Sequence, residues 1–552
     1  MMRRHGGTAT ATATAVTAAA LVLATALAAS TLAGCKKTAR KPGGASGRPS
    51  ASAAADTERA LAFLPADTLF VAFAPSLASG HREFYPALAR LDSQGLLKAL
   101  DLHLPAAAVS AGIDVARIDS LSKVGLDIER PLMLAGIASG GSAAPRGLFV
   151  LPVSSSSKLV KAMGAAVGPE QRAGNTRYWE FHDDTLMIEV PGHILAVEVR
   201  ESDRPISPEL IARLAAPSTR LATQPGWQQA RERAGQHAFV WVGRAAFALM
   251  GKTGVDYRDA VVTFAAEGPE IVRISYDLGM TPEARAMGAK VYGLPPQAGA
   301  TAELLPVDSL FALQLGAHLE AFWPLLLSSP DGGRTAREAE QAWHEAMTGL
   351  GVDLQLGRDV LPLLTGRLGF AMGMPGMSAM MGGSNDIMGA MPLTMVAELS
   401  DPAKMEAALD KAAAHLFGNA QLELKRAAPG RWTVNMADKG SLTLLVHQRW
   451  LVVATSAALP AVEPLLAGGQ ASLARAPQLS SFTRKAFAGT DQVLRYDVGP
   501  LQGLLAMLAG SGGGSPPKVM SVLRIVRDAT MSMRVSAAGY GGDIEVRLGL
   551  AK

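Results

Sequence analysis

Few residues of this chain have the types and spacing that chemistry requires. Gly251-Lys252-Thr253 ends like a phosphate-binding loop, yet the glycine needed five residues before Gly251 is Ala246. Without it the backbone cradle for phosphate is incomplete. His344-Glu345-Ala346-Met347-Thr348 begins like a helical zinc-protease motif, but Thr348 stands where the second histidine is needed. One imidazole cannot make the i, i+4 ligand pair. No Gly-x-Ser-x-Gly elbow occurs, which removes the commonest serine-hydrolase pattern. Asp67 and Asp308 both follow Leu-Pro-x, where a carboxylate reads as a turn residue bonding nearby backbone N–H groups. His182-Asp183-Asp184 and His193 fall at two hairpin turns, about 20 Å apart along one expected strand, too far to chelate one ion. Met372, Met374, Met377, Met380, Met381, Met388 and Met391 sit among glycines between two strands. Thioethers suit Cu(I) or apolar contacts, but the matching stretch about Ile137–Gly147 has no methionine, so this one reads as a mobile low-complexity loop. The expectation is a non-enzymatic protein with no catalytic, cofactor-binding or metal-binding residues.

The one thiol, Cys35, excludes an intramolecular disulfide and a cysteine-based zinc site. Its setting is informative. Arg3 and Arg4 are followed by a weakly apolar stretch, densest over Ala18–Ala29, and then by Leu32-Ala33-Gly34-Cys35. That order matches a secretory signal peptide. Leu-Ala-Gly-Cys resembles the lipobox of bacterial lipoproteins. The resemblance implies that residues 1–34 are a signal peptide, that Cys35 receives a diacylglycerol, and that cleavage precedes it. Lys36, rather than Asp, follows the cysteine, which by analogy with enteric bacteria implies outer-membrane sorting. Acyl chains contribute roughly 0.8 kcal/mol per buried CH₂, enough for two or three to hold a soluble body on a bilayer. Residues 35–59, basic and rich in Gly, Ser, Ala and Pro, read as a flexible tether.

The 552 residues suffice for two or three domains, and 49% apolar with 18% charged types rules out wholesale disorder. Residues 1–59 hold 8 Lys+Arg against 2 Asp+Glu, leaving 44 against 46 beyond. The basic balance therefore belongs to the N-terminus, and a nucleic-acid partner has no compositional support.

Internal repetition organises the rest. Leu64-Pro65-Ala66-Asp67-Thr68-Leu69-Phe70 recurs as Leu305-Pro306-Val307-Asp308-Ser309-Leu310-Phe311, and Gly125-Leu126-Asp127 as Gly351-Val352-Asp353. Phe149–Lys158 parallels Met395–Lys404, where Ser400-Asp401-Pro402 opens a helix, and Arg258-Asp259-Ala260 parallels Arg527-Asp528-Ala529. Four matches in one order mark a duplication, with units at 60–294 and 301–552. Strands are expected at Leu69–Ala74, Ile271–Tyr276 and Asp543–Leu548, and an amphipathic helix at Thr335–Leu350. A meander of three antiparallel strands is expected in each unit: Arg177–His182, Thr185–Val190 and Ile194–Val199, then Trp432–Met436, Ser441–Val446 and Trp450–Thr455. Helices lie between groups of strands rather than after each one, so the fold class is α+β: two tandem related units with largely antiparallel sheets and packed helices.

The Leu-Pro-x-Asp-Thr opening, the Gly-x-Asp element and the later strand–helix unit resemble an uncharacterised bacterial envelope family, a domain of unknown function. The resemblance implies an envelope compartment and the two-unit architecture, and carries over no catalytic residue. The expected role is a lipid-anchored binding or scaffolding module of the cell envelope, its membrane contact made by the acyl chains on Cys35. Its protein or apolar ligand is left open; a carrier of lipids or other apolar molecules in the periplasm is the alternative.

Overall fold

The structure, a computed structural model, describes residues 51–83, 118–138, 145–181, 185–199, 203, 205–235, 237–249, 257–292, 301–328, parts of 337–348, 355–376, 390–416, 422–436, 440–469, 472–490, 492–500, 526–536 and 539–549. The chain divides into two compact units, Met1–Thr281 and Pro282–Lys552.

The first unit contains α1 (Ala51–Leu61), β1 (Thr68–Ala74), α2 (Ile118–Lys123), β2 (Leu132–Ile137), β3 (Arg146–Pro152), α3 (Ser156–Met163) and the strands β4 (Gln171–Ala173), β5 (Thr176–Phe181), β6 (Thr185–Val190) and β7 (His193–Glu198). Then come α4 (Pro208–Ala215), α5 (Pro225–Ala234), β8 (Ala238–Gly243), α6 (Arg244–Leu249), β9 (Tyr257–Glu267) and β10 (Ile271–Met280). Its strands lie in the order β10-β9-β8-β1-β2-β3-β7-β6-β5-β4, every pair antiparallel. Leu61, Leu64, Val71, Met133, Leu186 and Trp227 centre its core, where the Trp227 ring meets Trp241 edge-on at 5.7 Å.

The second unit contains α7 (Pro282–Tyr292), β11 (Phe311–Gly316), α8 (Leu319–Ser328), a π turn at Leu356–Val360 running into a 3-10 turn at Leu361–Leu363, β12 (Leu364–Met372), β13 (Leu393–Leu399) and α9 (Pro402–Leu416). Next are β14 (Leu422–Ala428), β15 (Arg431–Met436), β16 (Gly440–His447), β17 (Trp450–Thr455), α10 (Leu459–Leu466), α11 (Ser481–Gly489), β18 (Gln492–Asp497), β19 (Val526–Ser536) and β20 (Gly539–Leu548). The strand order is β20-β19-β18-β11-β12-β13-β17-β16-β15-β14, again antiparallel throughout. Adding ten to each strand number of the first unit reproduces the second. The fold is α+β, built from two related units.

The repeated motifs have structural reasons. In the Leu-Pro-x-Asp-Thr/Ser opening, Thr68 and Ser309 each donate a side-chain hydrogen bond to the proline carbonyl three residues back, both at 2.6 Å. Leu64 and Leu305 are fully buried, and their carbonyls accept from Leu221 N at 2.8 Å and Leu473 N at 3.0 Å. The hydroxyl therefore closes the turn, while the Asp67 and Asp308 side chains are exposed. The serine run after β3 is used in succession. Ser154 N and Ser155 N reach the Gly125 carbonyl at 2.9 and 3.1 Å, and the Ser155 hydroxyl caps α3 by accepting from Lys158 N. Gly125 has φ +96°, and a Cβ there would lie 2.4 Å from the Ser155 carbonyl oxygen, so only glycine fits. Asp401 likewise accepts from Lys404 N at 3.1 Å to open α9.

Three boundaries differ from the sequence reading. Helix α1 begins at Ala51, inside the expected tether of 35–59 and ahead of residue 60, because its alanines favour helix and Thr57, Ala60 and Leu61 are buried. Helix α7, expected to end the first unit at 294, belongs to the second. Tyr292 packs edge-on against Tyr540 at 5.9 Å, and His318 N bonds the Val291 carbonyl at 2.7 Å. Each meander has four strands rather than three, since β4 and β14 join them. Gly351–Asp353 and the apolar stripe of the helix expected at Thr335–Leu350 lie outside the described residues.

The Arg-Asp-Ala repeat shows how the units diverged. Asp528 is buried and held by two bonds from Arg547, its partner across β19 and β20, one of them Nε to Oδ1 at 2.8 Å. In the first unit Asp259 is equally buried, but its cross-strand partner is Gly279. Among the described residues neither Asp259 oxygen has a hydrogen-bond partner, and Arg258 and Arg233 stand 3.7 and 3.8 Å away. Removing one member of a well-bonded buried pair costs about 3–5 kcal/mol. Arg547→Met is therefore expected to destabilise the protein by about that amount in urea unfolding, whereas Asp259→Asn is expected to be neutral or stabilising.

Candidate functional site

In the second unit the sheet is apolar on both faces, with Ala312, Ala371, Val396, Val452 and Ala454 turned to the core and a few polar residues set among them. Strand side chains alternate between faces, and a sheet with one wet face ordinarily keeps its apolar residues inward. In β11, however, Gln314 is 3% exposed while Phe311, Leu313 and Leu315 are only half-buried. The buried amide is satisfied: Thr301 Oγ1 donates to its Oε1 at 2.8 Å, and its Nε2 donates to the Thr490 carbonyl at 2.6 Å. The same face buries Arg367 and Glu398, whose Arg367 Nη1–Oε2 distance is 2.9 Å, with Thr365 Oγ1 donating to Oε2 at 2.6 Å.

The opposite face is apolar across four strands. Leu313 pairs with Phe370, Phe370 with Met395 and Met395 with Val453; one step along, Leu315 pairs with Leu368, Leu368 with Ala397 and Ala397 with Leu451. Met395 is 54% exposed although it sits in the middle of the sheet. This face floors a groove with a cavity of about 570 Å³. One wall is α9, contributing Met405, Ala408, Leu409 and Ala412. The other is the turn before β12, contributing Leu356, Val360 and Leu363. Asp359, on that turn, is the single charged residue along the lining among the described residues. Arg358 holds it at 2.9 Å and Gln355 N donates to it at 2.8 Å, and these bonds keep its carboxyl below the usual carboxylate range. A concave apolar site of this size with one polar group suits a small hydrophobic ligand, and exposed apolar surface of this kind marks binding or interaction.

A second feature occurs in both units. Clefts of about 490 and 580 Å³ open beside the Leu-Pro-x-Asp turns and include Pro65 and Asp67 in one unit, Pro306 and Asp308 in the other. Matching strand positions line both, Ala138 with Met374 and Leu148 with Thr394. The chemistry has diverged: Arg146 and Arg213 flank the first cleft, whereas Pro392, Pro460 and Pro464 flank the second. Arg146 is already paired with Asp203 at 2.8 Å.

The other residues with chemical potential are scattered. Cys35, Gly251-Lys252-Thr253, His182-Asp183-Asp184 and 377–389 of the methionine segment lie outside the described residues. The ends of that segment are joined: Thr455 Oγ1 donates to the Met391 carbonyl at 2.8 Å and Gly373 N to the Pro392 carbonyl at 2.8 Å. His344 and Glu345 are exposed on a helix, and Glu345 accepts from Gln341 at 2.6 Å. Among the described residues, no three His, Cys, Asp or Glu side chains converge as a metal site would need, and no helix is long and apolar enough to cross a membrane.

His193 is not a turn residue; it begins β7 and is 1% exposed. Its Nδ1 faces the Pro191 carbonyl at 3.2 Å, and its ring tilts against Phe63 at 5.5 Å. Burial lowers its pKa, the Pro191 carbonyl opposes that, and Arg130 adds to the lowering. A depressed histidine pKa means that the unfolded chain binds the proton more readily. The stabilising contribution is thus complete above the unfolded value of about 6.5 and is lost as pH falls below it. Unfolding free energy is expected to decline below pH 6.5 by up to about 1.4 kcal/mol per pH unit from this group, and His193→Asn should flatten that slope in urea titrations at pH 5 to 8.

No family model matches the chain, and no curated protein matches it. Among solved structures, crystal forms IV, III and I of TP0453 are similar at 11% sequence identity. They cover 42%, 42% and 40% of this chain and 84%, 84% and 78% of their own, with TM-scores of 0.25, 0.26 and 0.24. Superposition at that level carries no inference about fold or role.

Proposed function

We propose that this protein is a lipid-anchored binding protein of the bacterial cell envelope, tethered through acyl chains on Cys35 on the outer membrane. In this reading it is not an enzyme and carries an apolar ligand in its second unit. The anchor is supported by Leu32-Ala33-Gly34-Cys35 behind a signal-like segment. The observation that carries the ligand reading is the groove over Leu313, Phe370, Met395 and Val453, an apolar floor left open on the sheet face opposite the buried core. It favours the carrier reading over a pure scaffold. Burying about ten methylenes gains roughly 8 kcal/mol before ordering costs, so such a ligand needs few polar contacts.

Two measurements test this reading. Intact mass of the membrane-extracted protein is expected to show a chain starting at Cys35 with added diacylglycerol; a Cys35→Ser chain should lack it and leave the membrane fraction. Solvent extraction of the purified protein is expected to release a hydrophobic molecule near one equivalent, and Met395→Asp should reduce its occupancy at least tenfold, as burying an unpaired carboxylate demands. A chain that releases nothing and binds no apolar dye would end the ligand reading.

A further inference from the structure

We infer that the groove selects a hydrocarbon chain ending in an uncharged hydrogen-bond donor, a hydroxyl or amide, seated against the Asp359 carboxylate. The inference rests on the apolar-ligand reading and adds the chemistry of the ligand's polar end. A chain lying on the floor of Leu313, Phe370 and Met395 meets carbon at each of those residues. Its polar end must therefore emerge into water or reach Asp359, the one polar side chain on the lining among the described residues.

Three features make Asp359 an acceptor. Arg358 at 2.9 Å and Gln355 N at 2.8 Å hold it as a fixed carboxylate on the turn. A carboxylate offers about four acceptor positions, and its own turn does not cover it, since the side chain stays 29% exposed. Arg358 and Lys411 keep the group ionised, so it acts as an acceptor and never as a donor. A ligand carboxylate or phosphate set against the Asp359 oxygens would meet like charge, and a methyl-capped end would bring them no further donor. Hydrogen bonds to ionised groups are the ones strong enough to discriminate, worth about tenfold in affinity even at the low end of their range.

The test uses the whole chain carrying Cys35→Ser, so that no acyl chain of its own competes, loaded with the neutral dye N-phenyl-1-naphthylamine. 1-Dodecanol, its methyl ether and dodecanoate are compared as displacing ligands at pH 8. Dodecanol is expected to displace the dye about tenfold more tightly than either of the others. In Asp359→Asn, which still binds the dye, that preference should shrink to within about threefold. Equal displacement by all three in the unsubstituted chain, or tighter displacement by dodecanoate, overturns the inference and leaves the apolar-ligand reading standing. Absence of dye binding in the unsubstituted chain overturns both. Should Asp359→Asn disturb the turn and lose the dye, the comparison in the unsubstituted chain still decides.

Discussion

Period-two alternation in antiparallel strands governs the second unit. A strand cannot turn one side chain over without turning all of them, so placing Gln314, Arg367 and Glu398 inside obliges Leu313, Leu368, Phe370 and Met395 to face outward. Each inward polar group is then bound to a specific partner, which offsets much of the cost of burying it. That network fixes register as well as polarity: a one-residue slip would expose it and bury the leucines, and Gln314 would lose Thr301 and Thr490 together. The open apolar face is therefore a consequence of the register, and the groove over it needs only α9 and the Leu356–Leu363 turn as walls.

Duplication explains which features are shared and which are free to change. The common framework is ten antiparallel strands in one order, a hydroxyl-closed turn at Thr68 and Ser309, and a capped helix after β3 and β13. Phe149 and Met395 occupy matching positions and are both exposed, at 40% and 54%. What differs is chemistry added to that frame. One buried aspartate has a bidentate arginine and the other a glycine. One helix after the third strand has eight residues and the other fifteen, and the longer one supplies the wall of the groove.

Much of the architecture was legible in the chain. Thr185–Val190 and Trp450–Thr455 are strands at the expected residues, because short β-branched runs between turn residues leave little choice. The repeated motifs mark corresponding elements because each performs a local task that few residues can, as Gly125 does at φ +96°. The missed parts have physical reasons. β4 is only three residues long, and β14 is dense in charge. The start of α1 was hidden by a composition that serves a tether and a helix equally well. The groove was invisible for a deeper reason: Leu313, Phe370 and Met395 look like ordinary core residues, and nothing in one strand tells which of its two faces will be covered. His193 reads as a turn residue in the sequence because its neighbours Pro191 and Gly192 form the turn that it follows.

The outermost strand β14 has a further consequence. Among the described residues it pairs with β15 alone, and a sheet edge is a template onto which another chain could add. Along it Lys425 bridges Glu423 at 2.8 Å, and Arg426 reaches back to Asp410 of α9 at 2.6 Å. An incoming strand would have to strip water from these ions, so the charges act as a guard rail against edge-to-edge polymerisation. A molecule with an apolar face open to solvent thereby carries charge along an edge where chains could otherwise add.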